Sequence, residues 1–495
     1  MKNKKVFLAA DLGAGSGRLM AALFDGKTIN LEEIARWNSA PVEADGHMHW
    51  DVHQMFGEIK SAIGKAYAKY GKAIVSAAVD TWGVDYGLLD KNSKLVNLPY
   101  IYRDARTNGT MDEVFAKLPK AEVYGATGIQ FMFFNTIFQM QAELKKAEAL
   151  KKAESFLMMP DLINWMLTGV KANERTNAST TQLYNPVKKT WAFDIIKKLG
   201  LPERIFSQPF AEAGSSVGEL LPEIKKELGI EKLDIVATAS HDTASAIAGV
   251  PSKTSPCSYI NSGTWSLAGM ELKNPIINEA SLKENFTNEV GVEGTIRFLK
   301  NITGMWLFQK SRESWSKAGL EHSYAEVDAM ADAAPAFGLH FDPDCPDFAM
   351  PANMVSAIEK HCLERFGKAP KGVGVLARAI KESMALKYAH VFKVLEKLTG
   401  FNHDAVSIVG GGSKDLSLNQ MAADAMQKTV YAGPTECTSL GNVIMQLKAA
   451  GDISSLEEGR KIISASVEPK VFEPNKNAAS KWADALENFQ KNVLR

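Results

Sequence analysis

The chain has 495 residues, 45% of them hydrophobic and 23% charged, and its 57 basic and 57 acidic side chains cancel to zero formal charge. This length exceeds what one hydrophobic core serves and predicts two or three domains. Balanced charge gives no long-range positive field for nucleic acid or an anionic bilayer, and no apolar run approaches the roughly 20 residues of a membrane helix, so neither partner is expected.

The basic start, MKNKK, precedes only about five apolar residues before Asp11, a strand pattern and not a secretory signal. Cys257, Cys345, Cys362 and Cys437 are too scattered for a disulfide framework or a zinc knuckle. Both features predict a cytoplasmic chain. Apolar residues run over 6–10, pass Asp11 and a turn holding Gly13, Gly15 and Gly17, and resume over 19–24: strand, tight turn, strand. A strand is predicted over 29–37, an amphipathic helix over 52–70, and a buried strand over 74–79 that ends at Asp80. A short strand over 86–89 precedes a turn at 90–93. Helices are predicted over 110–118, 136–154 and 159–167, the last stopped by Gly169. The strand over 234–239 ends at Ser240, His241 and Asp242, and the small residues over 243–249 form the helix that follows.

A linker with prolines at both ends, 251–256, opens the second half. Residues 257–270 repeat the first theme: strand, Ser-Gly-Thr turn, strand. Helices are predicted over 302–318, 352–366 and 372–399, with 390–395 readable as a separate turn, and 321–350 as a surface loop around DPDCPD. The strand over 405–409 runs into Gly410, Gly411 and Gly412; a helix over 416–426, a strand over 429–431 and a helix over 440–449 follow. Each half thus starts with a strand–turn–strand carrying glycine and a hydroxyl or an acid, the mark of a distant duplication. Two such turns facing each other can hold phosphates, which makes a polyphosphate nucleotide the first ligand to expect.

The stretches DLGAGSGR at 11–18, DTWGVDYGLLD at 80–90, YRDARTNG at 102–109, GIQFMFFNT at 128–136, ASHDTASA at 239–246, NSGTWSL at 261–267, KNITGMWLFQ at 300–309 and VGGGSKD at 409–415 together resemble the FGGY family of carbohydrate kinases, in order and over nearly the whole chain. The resemblance implies an α/β fold of two ribonuclease H-like (actin-like ATPase) domains with a cleft between them. Residues 1–248 would be mainly sugar-binding and 249–495 mainly nucleotide-binding. It implies phosphoryl transfer from ATP with Mg2+ to a small-molecule ketose, and within the family it points to L-rhamnulose and its 1-phosphate, ahead of L-fuculose, xylulose or glycerol. It fixes no oligomeric state, and a monomer is compatible with it.

Asp242 follows a buried strand and opens a helix. A carboxylate there either caps the helix or orients a sugar hydroxyl and takes its proton; the resemblance assigns the matching aspartate as general base. Asp11, bare, would repel phosphates, so its chemistry suits magnesium, directly or through water. Ala14, Gly15, Ser16, Gly17 and Arg18 are the ATP-binding segment the resemblance implies, with glycines that let backbone N–H groups approach phosphate oxygens. Arg18 either adds charge there or is an ordinary surface arginine. The resemblance makes Thr264, Gln309 and Gly411 further nucleotide contacts and Asn301 a sugar contact; spacing places Asn301 and Gln309 on one helix, where both also read as solvent-facing amides. Asp80, Trp82, Gly83 and Asp85, with His241 and Thr243, form the expected sugar pocket, Trp82 being either its apolar face or a core side chain. Arg103, Asp104 and Arg106 either close over substrate or build a structural ion-pair network. Gln130, Phe131 and Phe133 either line a deoxysugar methyl or pack in the core. Readings of another class are a non-catalytic sugar- or nucleotide-binding regulator on the same fold and a filament-forming actin relative; a pure binder need not keep both Asp11 and Asp242.

Overall fold

The computed structural model describes residues 4–494, so the first three residues of the basic start lie outside it. The chain forms two compact units: residues up to Pro251 with Glu271–Phe298 and Cys437–Val467, and Ser252–Met270 with Leu299–Glu436 and the residues from Glu468 onward. A single cut at 248/249 follows the first stretch of the first unit but not its two later stretches.

In the first unit, Lys5–Leu12 pairs antiparallel with Ser16–Phe24, which pairs antiparallel with Ile29–Asn38. On its other side Lys5–Leu12 runs parallel to Ile74–Thr81, that strand parallel to Asp234–Ala237, and the last antiparallel to Ser215–Glu219. Side-chain alternation splits the central strand between two cores. Val6, Leu8, Ala10 and Leu12 pack with Met55, Ile59 and Ile63 of the helix Val52–Tyr70. Phe7 and Ala9 pack with Leu440, Val443 and Ile444 of the helix Cys437–Ala449. That second contact is why 437–467 folds with residues so far upstream. A third cluster, around Tyr86, Phe138, Phe156 and Trp191, is built mostly from the stretch of chain that separates the parallel strands Ile74–Thr81 and Asp234–Ala237 in sequence.

The second unit repeats the order. Ser258–Ser262 pairs antiparallel with Trp265–Leu272 and parallel with Ala405–Val409; Thr429–Ala432 continues in parallel, and Lys470–Phe472 closes antiparallel. Ile296–Thr303 lies outside Trp265–Leu272, where Ile29–Asn38 lies in the first unit. An antiparallel strand pair running into two parallel strands, with a third strand on the outer side of the pair, is present twice and is the ribonuclease H-like α/β fold expected from the sequence.

Four local expectations change. The helix expected over 136–154 stops at Lys146, turns at Ala147 (φ 52°) and re-forms only over Glu148–Lys152 before the strand Ala153–Met158. The helix expected from 302 begins at Trp306, because 296–303 is strand. Val373–Thr399 is one unbroken helix. Within 321–350 lies the helix Tyr324–Ala333, opened by a reciprocal Ser323–Glu326 capping box. The rest of that segment is held rather than loose: Lys387 Nζ reaches Asp342 at 2.7 Å and Asp344 at 3.0 Å, and Thr303 N donates to Asp344 at 2.7 Å. No helix among the described residues is long and apolar enough to cross a membrane.

Candidate functional site

In the first unit three chain segments end side by side. Register pairs Asp11 with Asp80 on neighbouring parallel strands, and a parallel bridge pairs Thr81 with His241. Thr81 N donates to Ser240 O at 2.9 Å. Behind them the buried Glu174 ties the turn together, accepting from Ser240 N (3.0 Å), Ser240 Oγ (2.8 Å) and Thr176 N (2.9 Å), while Thr176 Oγ1 accepts from His241 N (3.2 Å). Asn177 Nδ2 adds bonds to the carbonyls of Trp82 and Ser240. Glu174 and Asn177 sit in a stretch whose sequence carries no motif, so only the structure connects them to Asp242.

The acids differ in environment. Asp242 opens the helix Asp242–Ala248; its Oδ1 accepts from Thr243 N at 2.5 Å and Thr243 Oγ1 at 3.1 Å, and 30% of its side chain stays open. Desolvation raises its pKa from the ordinary aspartate value against the nearby His241, with Asp11 adding to the rise. Asp11 is 9% exposed and held by Arg18, whose Nη2 (2.6 Å) and Nε (3.1 Å) both meet Oδ2. Asp80 is fully buried: Oδ2 accepts from Asn442 Nδ2 at 2.6 Å, and Oδ1 has no partner among the described residues. Asn442 is itself held by Gln446 (2.7 Å), and Gln446 by Ser76 (2.7 Å), a polar ladder along one face of the Cys437–Ala449 helix. Burial, then Asp11 and Asp242, push Asp80 well above the carboxylate range.

A raised native pKa means that ionised Asp80 works against folding: its contribution is favourable below the ordinary carboxylate range and is lost as pH rises through the native value. Asp80→Asn keeps an oxygen for Asn442 and removes the charge. In metal-free buffer its Tm is expected about 2–4 °C above wild type at neutral pH, the shift of roughly 1 kcal/mol, with the difference closing below about pH 4, where the carboxyl is neutral in the folded and the unfolded chain alike. A variant less stable than wild type at every pH contradicts this.

Several expected pocket residues are tied into the surrounding framework. Trp82 is 7% exposed, its ring centroid 4.3 Å from that of Trp50, and both indoles donate to Asp85 Oδ2, at 2.8 and 2.7 Å. These contacts pack Trp82 into the core of the first unit. Asp85 is fully buried, takes further bonds from Gln139 Nε2 (3.0 Å) and Tyr102 N (3.2 Å), and is pushed by burial to about 6. Gly83 is glycine because a Cβ would stand 2.9 Å from Thr180 Cγ2. Arg106 is held by Gln139 (2.9 Å), Glu143 (3.3 Å) and the Tyr100 ring, and Asp104 by His47 and Met48 N, the contacts of an ion-pair and hydrogen-bond network. Gln130 is buried and Phe131 packs on Phe115, whereas Phe133 is 40% exposed.

The first glycine turn is shorter than expected, since strand resumes at Ser16. Gly17 therefore lies in strand, where a Cβ would meet Trp37 Cζ2 at 2.6 Å. Beside Gly15 no atom stands within 4 Å of a built Cβ, so its backbone is open to a ligand.

In the second unit the turn Ser262–Gly263–Thr264 is braced by backbone donors of the following helix: Met305 N to Gly263 O (2.9 Å) and Trp306 N to Thr264 O (3.2 Å). Gly304 makes this approach possible; a Cβ there would stand 2.7 Å from Ser266 Oγ and 2.8 Å from Gly263 O. Thr264 is exposed. The later glycines divide. Gly410 (φ 82°) and Gly412 press on Asn261 and Ser262, while Gly411 has open space around it. Asn301, half-buried, is on the strand Ile296–Thr303 and Gln309, exposed, on the helix Trp306–Lys317, not both on one helix. Gln309 lines a cavity of about 480 Å3 with Arg312, Glu313, Ser316 and His322. Among the described residues, three ligand side chains with donor atoms all within 4.8 Å of one another occur at Cys345, Asp347 and His361. The acids of the first unit are not such a closed cage.

Residues 6–249 match the N-terminal domain, and 258–450 the C-terminal domain, of the FGGY family of carbohydrate kinases. A Bacteroides thetaiotaomicron protein named rhamnulokinase is 40% identical over 493 residues, 99% of this chain and 100% of that protein. A Bacillus subtilis rhamnulokinase is 36% identical over 490 residues, 99% of each. Among solved structures, ligand-bound xylulose kinase from Lactobacillus acidophilus matches with a TM-score of 0.82 over 98% of this chain and 97% of its own, at 17% identity. Plasmodium falciparum glycerol kinase with ADP gives 0.78 over 99% of both, at 14%. Those two share the fold; the sequence relatives share far more. With both halves matched in order, on a chain that builds the same sheet twice, this protein belongs to the FGGY family of carbohydrate kinases.

Proposed function

We propose that this carbohydrate kinase transfers the terminal phosphoryl group of ATP to the 1-hydroxyl of L-rhamnulose, with Asp242 as the base. The observation that carries the choice of sugar is the end-to-end match, 34–40% identical, to proteins named rhamnulokinase. Asp242 is the most open of the three acids, and Thr243 fixes its Oδ1, leaving Oδ2 to meet the acceptor hydroxyl. Its raised pKa suits an oxygen that must take a proton as the phosphoryl group moves. His241 and Thr243 offer polar groups to the sugar hydroxyls, as does Asn301, while Asp80 and Gly83 shape the pocket wall. Trp82 and Asp85 support that wall from behind.

The residues fit magnesium and ATP. Asp80 Oδ1 is a buried acceptor without a donor among the described residues, and Mg2+ keeps several waters and asks for only one or two carboxylates. Asp11 would hold the ion, directly or through water, and Ala14 to Arg18, Thr264, Gln309 and Gly411 would hold the nucleotide. When bound, the ion neutralises phosphate charge. Arg18 keeps Asp11 oriented, and the backbones of Gly15 and Gly411 can approach phosphate and nucleoside without side-chain clash.

The test is Mg-ATP-dependent ADP release against L-rhamnulose, L-fuculose, D-xylulose, L-ribulose and glycerol at equal low concentration. L-Rhamnulose is expected to lead in kcat/KM by about 10-fold or more, the discrimination a few pocket contacts supply. Preference for another sugar moves the substrate and keeps the chemistry; release with none favours a binding protein.

A further inference from the structure

Behind His241 lies a buried ion pair that no sequence motif marks. Arg297, on the strand Ile296–Thr303, is 0% exposed, and Glu289, on Thr287–Val290, is 5% exposed. Arg297 Nη2 stands 3.0 Å from Glu289 Oε2 and 3.1 Å from His241 Nδ1, and its Nε donates to Val290 O at 3.2 Å. Val290 N is in turn held by Ser179 Oγ at 2.9 Å. The other ring nitrogen of His241, Nε2, lies 3.5 Å from Asp242 Oδ1.

A guanidinium is always protonated and only donates. A neutral imidazole nitrogen facing it must therefore accept, which leaves the ring proton on the opposite nitrogen. Glu289 Oε2 is 3.4 Å from Nδ1, beyond ordinary hydrogen-bond length. A hydrogen on Nδ1 would also point at the N–H of Arg297. Burying two charges seldom increases stability over an apolar pair of equal volume, so the pair calls for another use. We propose that Arg297, neutralised by Glu289, is a positioning residue that holds His241 as the Nε2–H tautomer, with its donor turned toward Asp242 and the acceptor sugar. This rests on the reading of His241 and Asp242 as the reacting end of the site.

The test is a long-range proton–nitrogen correlation spectrum of the full chain labelled with 15N-histidine, at neutral pH, with the His241 signals identified by their loss in His241→Asn. A pyrrole-type Nε2 and a pyridine-type Nδ1 are expected in the wild type; the reverse pattern overturns the proposal. Arg297→Met leaves Glu289 charged and alone, so Glu289→Gln/Arg297→Met is made as well. In that double variant the ring is expected to lose its single tautomer and kcat to fall about 10–100-fold, the cost of a misdirected catalytic group. In a His241→Asn background the same double change is expected to alter kcat less than 2-fold. An equal loss in both backgrounds overturns the proposal. The spectrum reads the tautomer whether or not any sugar is turned over, so failure of the kinase reading and failure of this inference are told apart.

Discussion

Asp242→Asn is expected to lower kcat by about 10²–10⁴-fold, the range over which a positioned general base acts. Asparagine keeps the shape of the side chain, and its Oδ1 still accepts from Thr243 N and Thr243 Oγ1, the bonds that fix the native carboxylate. What changes is the other end: an amide donates where the carboxylate accepted, so a sugar hydroxyl meets a group unable to take its proton. KM for the sugar should move much less than kcat, because the lost interaction strengthens as the proton is transferred. Folding is expected to hold, since the native carboxyl is desolvated and crowded by Asp11, and an unchanged or slightly higher Tm would show it. Wild-type kcat/KM should fall on the acid side with an apparent pKa above that of an ordinary aspartate, and the variant should lose that limb. A folded variant within 10-fold of wild-type turnover leaves Asp242 as a helix cap and removes it as base.

The three acids were legible because each ends a run of apolar strand; that Val6, Leu8 and Ala10 turn one way and Phe7 and Ala9 the other was not, since every residue over 6–10 is apolar and only the fold divides them between two cores. The groups that hold those acids were not legible. Asn442 and Gln446 reach Asp80 and Leu8 from more than 360 residues away, and a buried amide on an otherwise apolar helix leaves no periodic trace. Glu289 and Arg297 are two ordinary charges on neighbouring strands until the fold closes around them. Trp82 and Asp85 carry the opposite lesson, since a polar cluster beside a glycine reads like a pocket, yet the indoles of Trp82 and Trp50 consume one carboxylate oxygen and make it part of the wall. Two misread elements had signals at hand. Ser323 and Glu326 stand three apart ahead of Val327, the spacing of a capping box, and the apolar run that follows Ser155 argued for a strand inside what the lysine- and alanine-rich flank presents as helix. Gly17 reads as a turn glycine and Gly304 falls inside the helix expected from 302, but contact with Trp37 and with the Ser262–Thr264 turn is what excludes a side chain at each.

Gly441→Ala is expected to destabilise the protein by about 2–4 kcal/mol and to reduce kcat with it. By intrinsic propensity the change should help, because alanine is worth roughly 1 kcal/mol over glycine inside a helix. The crossing of Asp242–Ala248 with Cys437–Ala449 reverses the sign. A Cβ on Gly441 would overlap the carbonyl oxygen of Ser245, stand 2.6 Å from its carbon and 2.9 Å from Gly249 N. These are backbone atoms, so no rotamer relieves the contact and the helices must part. Gly249 is under the same constraint from the other side, where a Cβ would stand 2.5 Å from Cys437 O. Parting weakens the packing of Leu440, Val443 and Ile444 on the sheet and strains the bond from Asn442, the very next residue, to Asp80. It also displaces the helix that Asp242 opens, and a shift of about 1 Å at a reacting group costs on the order of 10² in rate. Gly57→Ala is the control: Gly57 is exposed in the helix Val52–Tyr70 with no atom within 4 Å of a built Cβ, so alanine there should raise stability by about 0.5–1 kcal/mol. Denaturant midpoints and kcat measured for both variants decide the matter. If both alanines stabilise, the two helices do not cross at backbone contact, and the placement of Asp242 by that crossing is wrong.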